Sequence, residues 1–110
     1  MSSPDSLLEL RARLETRVAE VEAELANIRL ARADANADDE HDPEGSTLTE
    51  DWSRVIGLRE AAVAALAETD AALERVRAGT YGVCVSCGRD IPPGRLEVRP
   101  ATAFCVACAS

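Results

Sequence analysis

Four cysteines near the end of the chain form two CxxC pairs, Cys84 with Cys87 and Cys105 with Cys108, and seventeen residues separate the pairs. This spacing is typical of one tetrahedral zinc site, because each CxxC turn supplies two sulfurs and the intervening segment brings the second pair opposite the first. Four thiolates leave no open position for water or substrate, so such a zinc ion is structural. An iron–sulfur centre, two disulfides and a redox dithiol are the alternatives.

A first long helix is predicted from Ser6. The run Ser6-Leu7-Leu8-Glu9 fits a capping box, in which the serine and glutamate side chains satisfy the first backbone N–H groups. Apolar side chains follow at the spacing of a coiled-coil seam: Leu7, Leu14, Val18, Val21, Leu25 and Ile28. Arg11 and Arg32 also occupy seam positions, and the pattern fades near Ala33.

A second helix is predicted from the capping-box pattern Thr47-Leu48-Thr49-Glu50. Its seam has seven apolar members: Leu48, Trp52, Val55, Ala62, Leu66, Leu73 and Val76. Arg59 and Thr69 interrupt the seam, and Gly57 suggests either a tight helix contact or a bend. Gly79 is expected to end the helix as a C-cap.

Two helices of this kind predict a mainly α fold, in which an antiparallel two-helix coiled-coil hairpin precedes a small C-terminal four-cysteine zinc finger. We expect the hairpin to cover residues 1–78 and the zinc finger residues 79–110. A monomer is the expected state, and a dimeric coiled coil is the alternative.

Acidic residues concentrate in the predicted connection, residues 34–46, which we call the acidic tip. Asp38, Asp39 and Asp42 lie there, and Asp42-Pro43-Glu44-Gly45 has the composition of a turn. The chain carries a net charge of −8, of which residues 1–78 hold −9 and residues 79–110 hold +1. This charge disfavours autonomous nucleic-acid binding. A solvated loop is one interpretation of the tip, and carboxylates presented to a cationic or Mg²⁺-containing site are the other.

The absence of a signal-peptide pattern and of a long apolar run predicts a cytoplasmic protein without a membrane anchor. In a reducing compartment, cysteines bind metal more readily than they form disulfides. No nucleophile–base pair or glycine-rich phosphate loop is recognisable in the sequence, so no enzymatic activity is predicted.

The opening Gly79-Thr80-Tyr81-Gly82-Val83-Cys84, the segment Arg95-Leu96-Glu97-Val98-Arg99-Pro100 and the remaining cysteines closely resemble the zinc finger of the DksA/TraR family of bacterial transcription factors. The resemblance implies a regulator that binds RNA polymerase directly, inserts its hairpin into the secondary channel and acts near the active centre without reading promoter sequence. It also implies structural zinc on Cys84, Cys87, Cys105 and Cys108, with Asp42-Pro43 similar to the start of the family's DPxDxA tip motif.

Three features differ from the family pattern. Gly45 and Thr47 stand where the tip motif continues with aspartate and alanine, so Asp38 and Asp39 are candidate substitutes. The chain ends two residues after the last cysteine, without the C-terminal helix of longer members. Family members that respond to guanosine tetraphosphate use basic side chains near the zinc finger, and Arg95 and Arg99 match this pattern, whereas Glu68 and Ala109 do not, so dependence on that nucleotide is not expected to transfer. Arg95 and Arg99 are either contacts to polymerase or the nucleotide, or surface charges that pair with Glu97 and the acidic residues of the helices.

Two alternative functions remain at this point. Asp38, Asp39 and Asp42 could bind Mg²⁺ and assist transcript cleavage within the polymerase. The chain could instead be a zinc-stabilised protein-interaction module without a role at the polymerase. Among the aromatic residues, Trp52 is predicted to fill the helical core, with an exposed contact residue as the alternative, and Tyr81 and Phe104 are predicted to pack around the zinc site.

Overall fold

A computed structural model describes residues 4–37 and 43–109. Within these ranges it contains two long helices and one short one: α1 (Pro4–Ala37), α2 (Pro43–Ala78) and α3 (Pro93–Val98). The only β contact in the same ranges is an isolated antiparallel bridge between Val83 and Asp90. The structure divides into two compact units, which are described separately: residues 15–64, and residues 1–14 together with 65–110.

Both long helices begin earlier than the capping boxes predicted. α1 starts at Pro4 instead of Ser6, and α2 starts at Pro43 instead of Thr47. Proline suits the first helical position because its fixed φ is already helical and the N–H that it lacks has no partner there. The predicted turn over residues 42–45 is therefore wrong from Pro43 onward, and α1 continues past Ala33 to Ala37.

In the unit of residues 15–64, α1 and α2 pack through the predicted seams. Val21, Leu25, Ile28 and Val55 are the buried core, with 0–9% of their surfaces exposed. Half-buried Trp52, Ile56 and Leu58 pack against it. Two ion pairs flank this core, Arg54 with Glu24 at 3.4 Å and Arg59 with Glu22 at 3.1 Å.

In the other unit, the start of α1 packs against the end of α2. Leu7 and Ala72 are fully buried and share a cluster with Ala101 from the zinc-finger region. Leu10, Leu73, Val76 and Tyr81 pack around this cluster. Within each unit, the segment of α1 packs antiparallel to the segment of α2. The predicted fold class, a mainly α antiparallel coiled-coil hairpin with a four-cysteine zinc finger, is confirmed.

Polar residues in the seams are accommodated by local partners. Arg11 forms a 2.6 Å ion pair with Asp70, and Arg59 pairs with Glu22. Thr69 is buried, with 1% of its surface exposed, and its hydroxyl donates a 2.8 Å hydrogen bond to the Ala65 carbonyl. The helix therefore tolerates these positions without leaving a buried donor unsatisfied.

Gly57 lies in the exposed part of α2, and a Cβ added there would meet no atom within 4 Å. The tight helix contact suggested from the sequence is therefore wrong. Gly79 does end α2, as predicted. Its φ is +77°, its N–H donates to the Val76 carbonyl, and the next N–H, of Thr80, donates to the Arg75 carbonyl. These two bonds form a Schellman cap.

No helix in the described residues is long and apolar enough to cross a membrane.

Candidate metal centre

The four cysteines converge on one point in the unit of residues 1–14 and 65–110. The sulfur atoms of Cys84, Cys87, Cys105 and Cys108 all lie within 4.8 Å of one another. Cys84 is buried, Cys105 and Cys108 are half-buried and Cys87 is exposed. The pairs are 21 residues apart in the chain when counted from Cys84 to Cys105, so the fold of the intervening segment creates the cluster.

Each CxxC pair is shaped by a similar turn. The Gly88 N–H donates to the Cys84 carbonyl at 2.9 Å, and the Ala109 N–H donates to the Cys105 carbonyl at 3.0 Å. Gly88 has a φ of +78°, a backbone conformation that glycine adopts without steric cost. Both turns therefore present two sulfurs on the same side of a tight backbone loop.

Backbone hydrogen bonds bring the two turns together. The Cys84 N–H donates to the Arg89 carbonyl at 2.8 Å, and the Val85 N–H donates to the Ala103 carbonyl at 2.9 Å. The second of these bonds ties the first cysteine pair to the segment that leads to Cys105. The cluster is thus held by main-chain contacts from both sides.

The short helix α3, which the sequence did not predict, supports the cluster from behind. Its Leu96 is buried with Ile91 and Cys84, and Tyr81, Cys105 and Cys108 pack around these three. The helix begins at Pro93, directly after Pro92, and Pro100 follows its end. These prolines were the available signal, because proline favours a first helical turn and is common just after a helix.

Arg95 fixes α3 to the second cysteine turn. Its Nε donates a 2.8 Å hydrogen bond to the Phe104 carbonyl, and a terminal guanidinium nitrogen lies 3.4 Å from the Thr102 hydroxyl. Arg99 instead lies on the surface, where it forms a 3.6 Å ion pair with Glu68. Arg95 is thus engaged within the zinc finger, while the Arg99 side chain, 59% exposed, is accessible.

The two aromatic residues predicted near the zinc site differ in burial. Tyr81 packs against both buried clusters of its unit, and its hydroxyl donates a 2.8 Å hydrogen bond to the Pro100 carbonyl. Phe104 has 40% of its surface exposed, so its predicted packing role is wrong. Its backbone carbonyl accepts hydrogen bonds from Arg95 Nε and from the Thr102 hydroxyl.

The electrostatics of the sulfurs differ within the cluster. Hydrogen bonds from the backbone N–H groups of Cys105 and then Cys87 lower the pKa of the Cys84 thiol to about 6. Hydrogen bonding to the Cys105 sulfur is the main cause that raises the pKa of Cys108 to about 12. The lowered pKa favours the thiolate form of Cys84, and the raised pKa favours the protonated form of Cys108.

The arrangement fits a zinc ion. A tetrahedral site with Zn–S bonds of about 2.3 Å requires sulfur–sulfur separations of roughly 3.8 Å, and the Cys87 and Cys105 sulfurs are 3.8 Å apart. All four donors are soft thiolates, which zinc prefers in closed structural sites. The protein thus has a structural zinc as its cofactor, and zinc supplies the free energy that a small, thinly cored finger lacks.

The other predicted site residues are distributed differently. Asp38, Asp39 and Asp42 lie outside the described residues. Asp34, Glu50 and Asp51, which border that segment, are located on the helices, and the first two are exposed. In the described part of the chain, the four cysteines are the one group of three or more cysteine, histidine or acidic residues placed to hold a metal ion.

Known proteins resemble the chain in both sequence and structure. Residues 79–110 match the prokaryotic dksA/traR C4-type zinc finger family. An uncharacterized protein of Aquifex aeolicus (strain VF5) is 37% identical over 103 residues, which cover 94% of this chain and 68% of that protein. General stress protein 16O of Bacillus subtilis (strain 168) is 36% identical over 66 residues, or 60% of this chain and 40% of that protein.

A solved structure has the same fold. The structure of transcription factor DksA2 from Pseudomonas aeruginosa superposes with a TM-score of 0.79 at 27% sequence identity, covering 94% of this chain and 74% of that one. The likeness therefore extends through both long helices and is not limited to the cysteine cluster. Together with the zinc-finger match and the four converging sulfurs, it shows that the chain belongs to the DksA/TraR-type zinc-finger family.

Proposed function

We propose that this protein is a non-enzymatic transcription regulator that binds RNA polymerase directly. It enters the secondary channel of the enzyme, extends its acidic tip toward the active centre and does not read DNA sequence. The observation that carries the proposal is the structural likeness to a transcription factor over 94% of the chain, at a TM-score of 0.79. Membership of the family supports the same role for this chain.

The zinc centre has a supporting role in this function. Cys84, Cys87, Cys105 and Cys108 are its proposed ligands, because their sulfurs are within 4.8 Å of one another. A closed four-thiolate shell offers no position for substrate. Zinc therefore fixes the finger, and the finger in turn packs Ala101 against Leu7 of α1 and Ala72 of α2.

The acidic tip is the proposed effector. Asp38, Asp39 and Asp42 follow α1 and precede α2, and the first 78 residues carry a net charge of −9. Carboxylates at this position are suited to a site that contains Mg²⁺ and cationic side chains, since Mg²⁺ prefers oxygen ligands. The same charge disfavours contact with a phosphate backbone, which supports binding to polymerase rather than to DNA.

Arg99 is the proposed contact of the zinc finger with polymerase, and Arg95 is proposed to support that contact from within the finger. The exposed guanidinium of Arg99 is held by Glu68 at 3.6 Å, a surface ion pair that contributes little to stability and can exchange partners. Arg95 contributes by holding α3 on the Phe104 carbonyl, so its effect on binding is indirect.

Binding to core RNA polymerase and competition with a known secondary-channel protein test the proposal. The wild-type protein is expected to bind at micromolar concentrations and to be displaced by the competitor. In transcription assays, the variant Asp38→Asn/Asp39→Asn/Asp42→Asn should bind with similar affinity but lose its effect on open complexes. The protein should release no RNA fragment from backtracked complexes.

A charge-matched control separates tip chemistry from overall charge. Glu9→Gln/Glu20→Gln/Glu60→Gln removes the same three charges from exposed positions on the helices, and it should retain both binding and regulation. Failure of the wild-type protein to bind core enzyme would overturn the proposed function. Equal loss of regulation in both triple variants would show that the tip carboxylates have no specific role.

A further inference from the structure

Two arginines of α1 stack on the single tryptophan of the chain, in the unit of residues 15–64. The guanidinium carbons of Arg29 and Arg32 lie 5.5 Å and 5.6 Å from the centre of the Trp52 ring. Trp52 is half-buried, packed against the core of Val21, Leu25, Ile28 and Val55. We call these three side chains, Arg29, Arg32 and Trp52, the arginine–tryptophan patch. Cation–π contact holds both guanidinium groups in place, because indole is the ring that binds cations best.

The two guanidinium groups have no carboxylate partner among the side chains that the structure describes. This differs from the neighbouring arginines of the same unit, since Arg54 pairs with Glu24 and Arg59 pairs with Glu22. A stacked guanidinium keeps its N–H edge available for two parallel hydrogen bonds to a carboxylate or phosphate. The patch is therefore two fixed cationic groups in a chain whose net charge is −8.

An open groove adjoins the patch. It has a volume of about 360 Å³ and is lined by Arg29 and Trp52 together with Leu25, Ala26 and Ile56, and it is bordered by the Glu22–Arg59 ion pair. Its lining places the aliphatic side chains of Leu25, Ala26 and Ile56 beside the charged groups of Arg29, Arg59 and Glu22. An occupant that matches both features has an aliphatic side chain next to carboxylates, as in an acidic peptide segment with leucine or isoleucine.

We propose that the arginine–tryptophan patch and its groove bind an acidic, aliphatic-containing segment of a protein partner. Charge complementarity identifies the occupant. The two stacked guanidinium groups bind its carboxylates, and Leu25, Ala26 and Ile56 receive its aliphatic side chain. A nucleic acid fits less well, because a phosphodiester backbone has no aliphatic side chain to pack against Leu25, Ala26 and Ile56. The identity of the partner rests on the proposed function: the segment belongs to RNA polymerase, and it provides a contact separate from the acidic tip.

The first test uses the fluorescence of Trp52, which is the only tryptophan. An acetylated and amidated peptide of alternating glutamate and leucine is titrated into the full, zinc-loaded protein, with a glutamine–leucine peptide and single-stranded oligothymidylate in parallel. The acidic peptide should shift the emission saturably, while the other two ligands should not. Arg29→Gln/Arg32→Gln should weaken the response by about ten-fold or more.

Matched variants distinguish a specific contact from general charge. Arg13→Gln/Arg17→Gln removes the same charge from two exposed positions outside the patch, and it should leave the affinity within about two-fold of wild type. Arg29→Lys/Arg32→Lys keeps the charge but loses the planar two-donor edge, so it should bind with intermediate affinity. Helical circular dichroism should be the same for all variants, which keeps folding separate from binding.

The second test measures affinity for core RNA polymerase with the same variants. Arg29→Gln/Arg32→Gln should bind roughly ten- to hundred-fold more weakly than wild type, and Arg13→Gln/Arg17→Gln should not. If the wild-type protein fails to bind polymerase but the acidic peptide still binds the patch, the proposed function fails and the recognition site stands. Three results would refute the proposed site. They are a response to the glutamine–leucine peptide equal to that of the acidic peptide, tighter binding of oligothymidylate than of the acidic peptide, and equal affinities of Arg29→Gln/Arg32→Gln and Arg13→Gln/Arg17→Gln.

Discussion

Substitution by alanine adds the same methyl group at Gly57 and at Gly79, but the backbone conformations at these two positions are opposite. The two substitutions should therefore change the free energy of unfolding in opposite directions. Neither glycine has an atom within 4 Å of the position that a Cβ would occupy. Gly57 lies within α2, whereas Gly79 has a φ of +77° at the end of that helix. The new methyl group would therefore lack contacts at both positions, and the two positions differ only in backbone conformation.

The expected magnitudes follow from this difference. Gly57→Ala removes backbone freedom from the unfolded chain at a position where alanine fits the helix, so it should raise the free energy of unfolding by about 0.8–1 kcal/mol. Gly79→Ala places a Cβ in the left-handed region and strains the Schellman cap, which should lower the free energy of unfolding by roughly 1–2 kcal/mol. The two variants should therefore differ by about 2–3 kcal/mol.

Urea unfolding of the zinc-loaded protein, followed by helical circular dichroism, measures both changes. At a urea m-value of about 1–3 kcal/mol/M, the Gly57→Ala midpoint should rise by several tenths of a molar unit or more. Destabilisation by Gly57→Ala would mean that residue 57 is not in an open helical position. Stability of Gly79→Ala equal to wild type would refute the assignment of Gly79 as the cap.

Two further predictions concern zinc. Cys87→Ser should strongly lower the affinity for zinc and should reduce the helical signal mainly in the unit that contains the finger, because the described contacts of Ala101 and Tyr81 reach the helices only there. Zinc titration followed by circular dichroism measures the affinity and the helical signal. A wild-type melting temperature that is the same with and without zinc would contradict this prediction. Zinc affinity should also fall by at least about ten-fold per unit as pH is lowered from 8 to 6, since Cys108, whose pKa is about 12, must release a proton on binding at every pH in that range. Competition with a chelator at several pH values tests this, and a flat profile would exclude proton release.

The helical hairpin was predictable because its core follows from periodicity. Val21, Leu25, Ile28 and Val55 all lie at seam spacing in the sequence and all are buried. Ala72 was missed, although it is fully buried, because alanine is too common on exposed helix faces to identify a core position. The capping boxes also misplaced the helix starts, since a favourable cap several residues inside a helix competes with a proline at its first position.

The candidate site was predictable where spacing determines chemistry. Two CxxC pairs are sufficient to predict a four-sulfur cluster, because few folds could use that spacing otherwise. The supporting structure was not predictable in the same way. α3 has only six residues, too few to show a helical repeat, and Arg95 supports the cluster through a backbone carbonyl, an interaction that no residue pattern encodes.

The arginine–tryptophan patch was missed for a different reason. Arg32 was recognised only as an interruption of the α1 seam, and Arg29 stood outside it. Their shared position over Trp52 depends on how α1 and α2 are aligned, and that alignment is not set by either helix alone. Trp52 packs against the core, as predicted, and its half-buried ring also lines the groove.

Tyr81 connects the zinc centre to the helices within their shared unit. It packs on the cluster of Leu7, Ala72 and Ala101 and also on the cluster that contains Cys84, and its hydroxyl donates to the Pro100 carbonyl at 2.8 Å. One side chain thus contributes to both hydrophobic clusters and satisfies a backbone acceptor between them. Zinc release should for this reason loosen the helix ends as well as the finger, because the contacts that order Tyr81 come from both clusters. The metal therefore acts through the structure of its own unit, since a closed four-thiolate shell leaves no position for substrate.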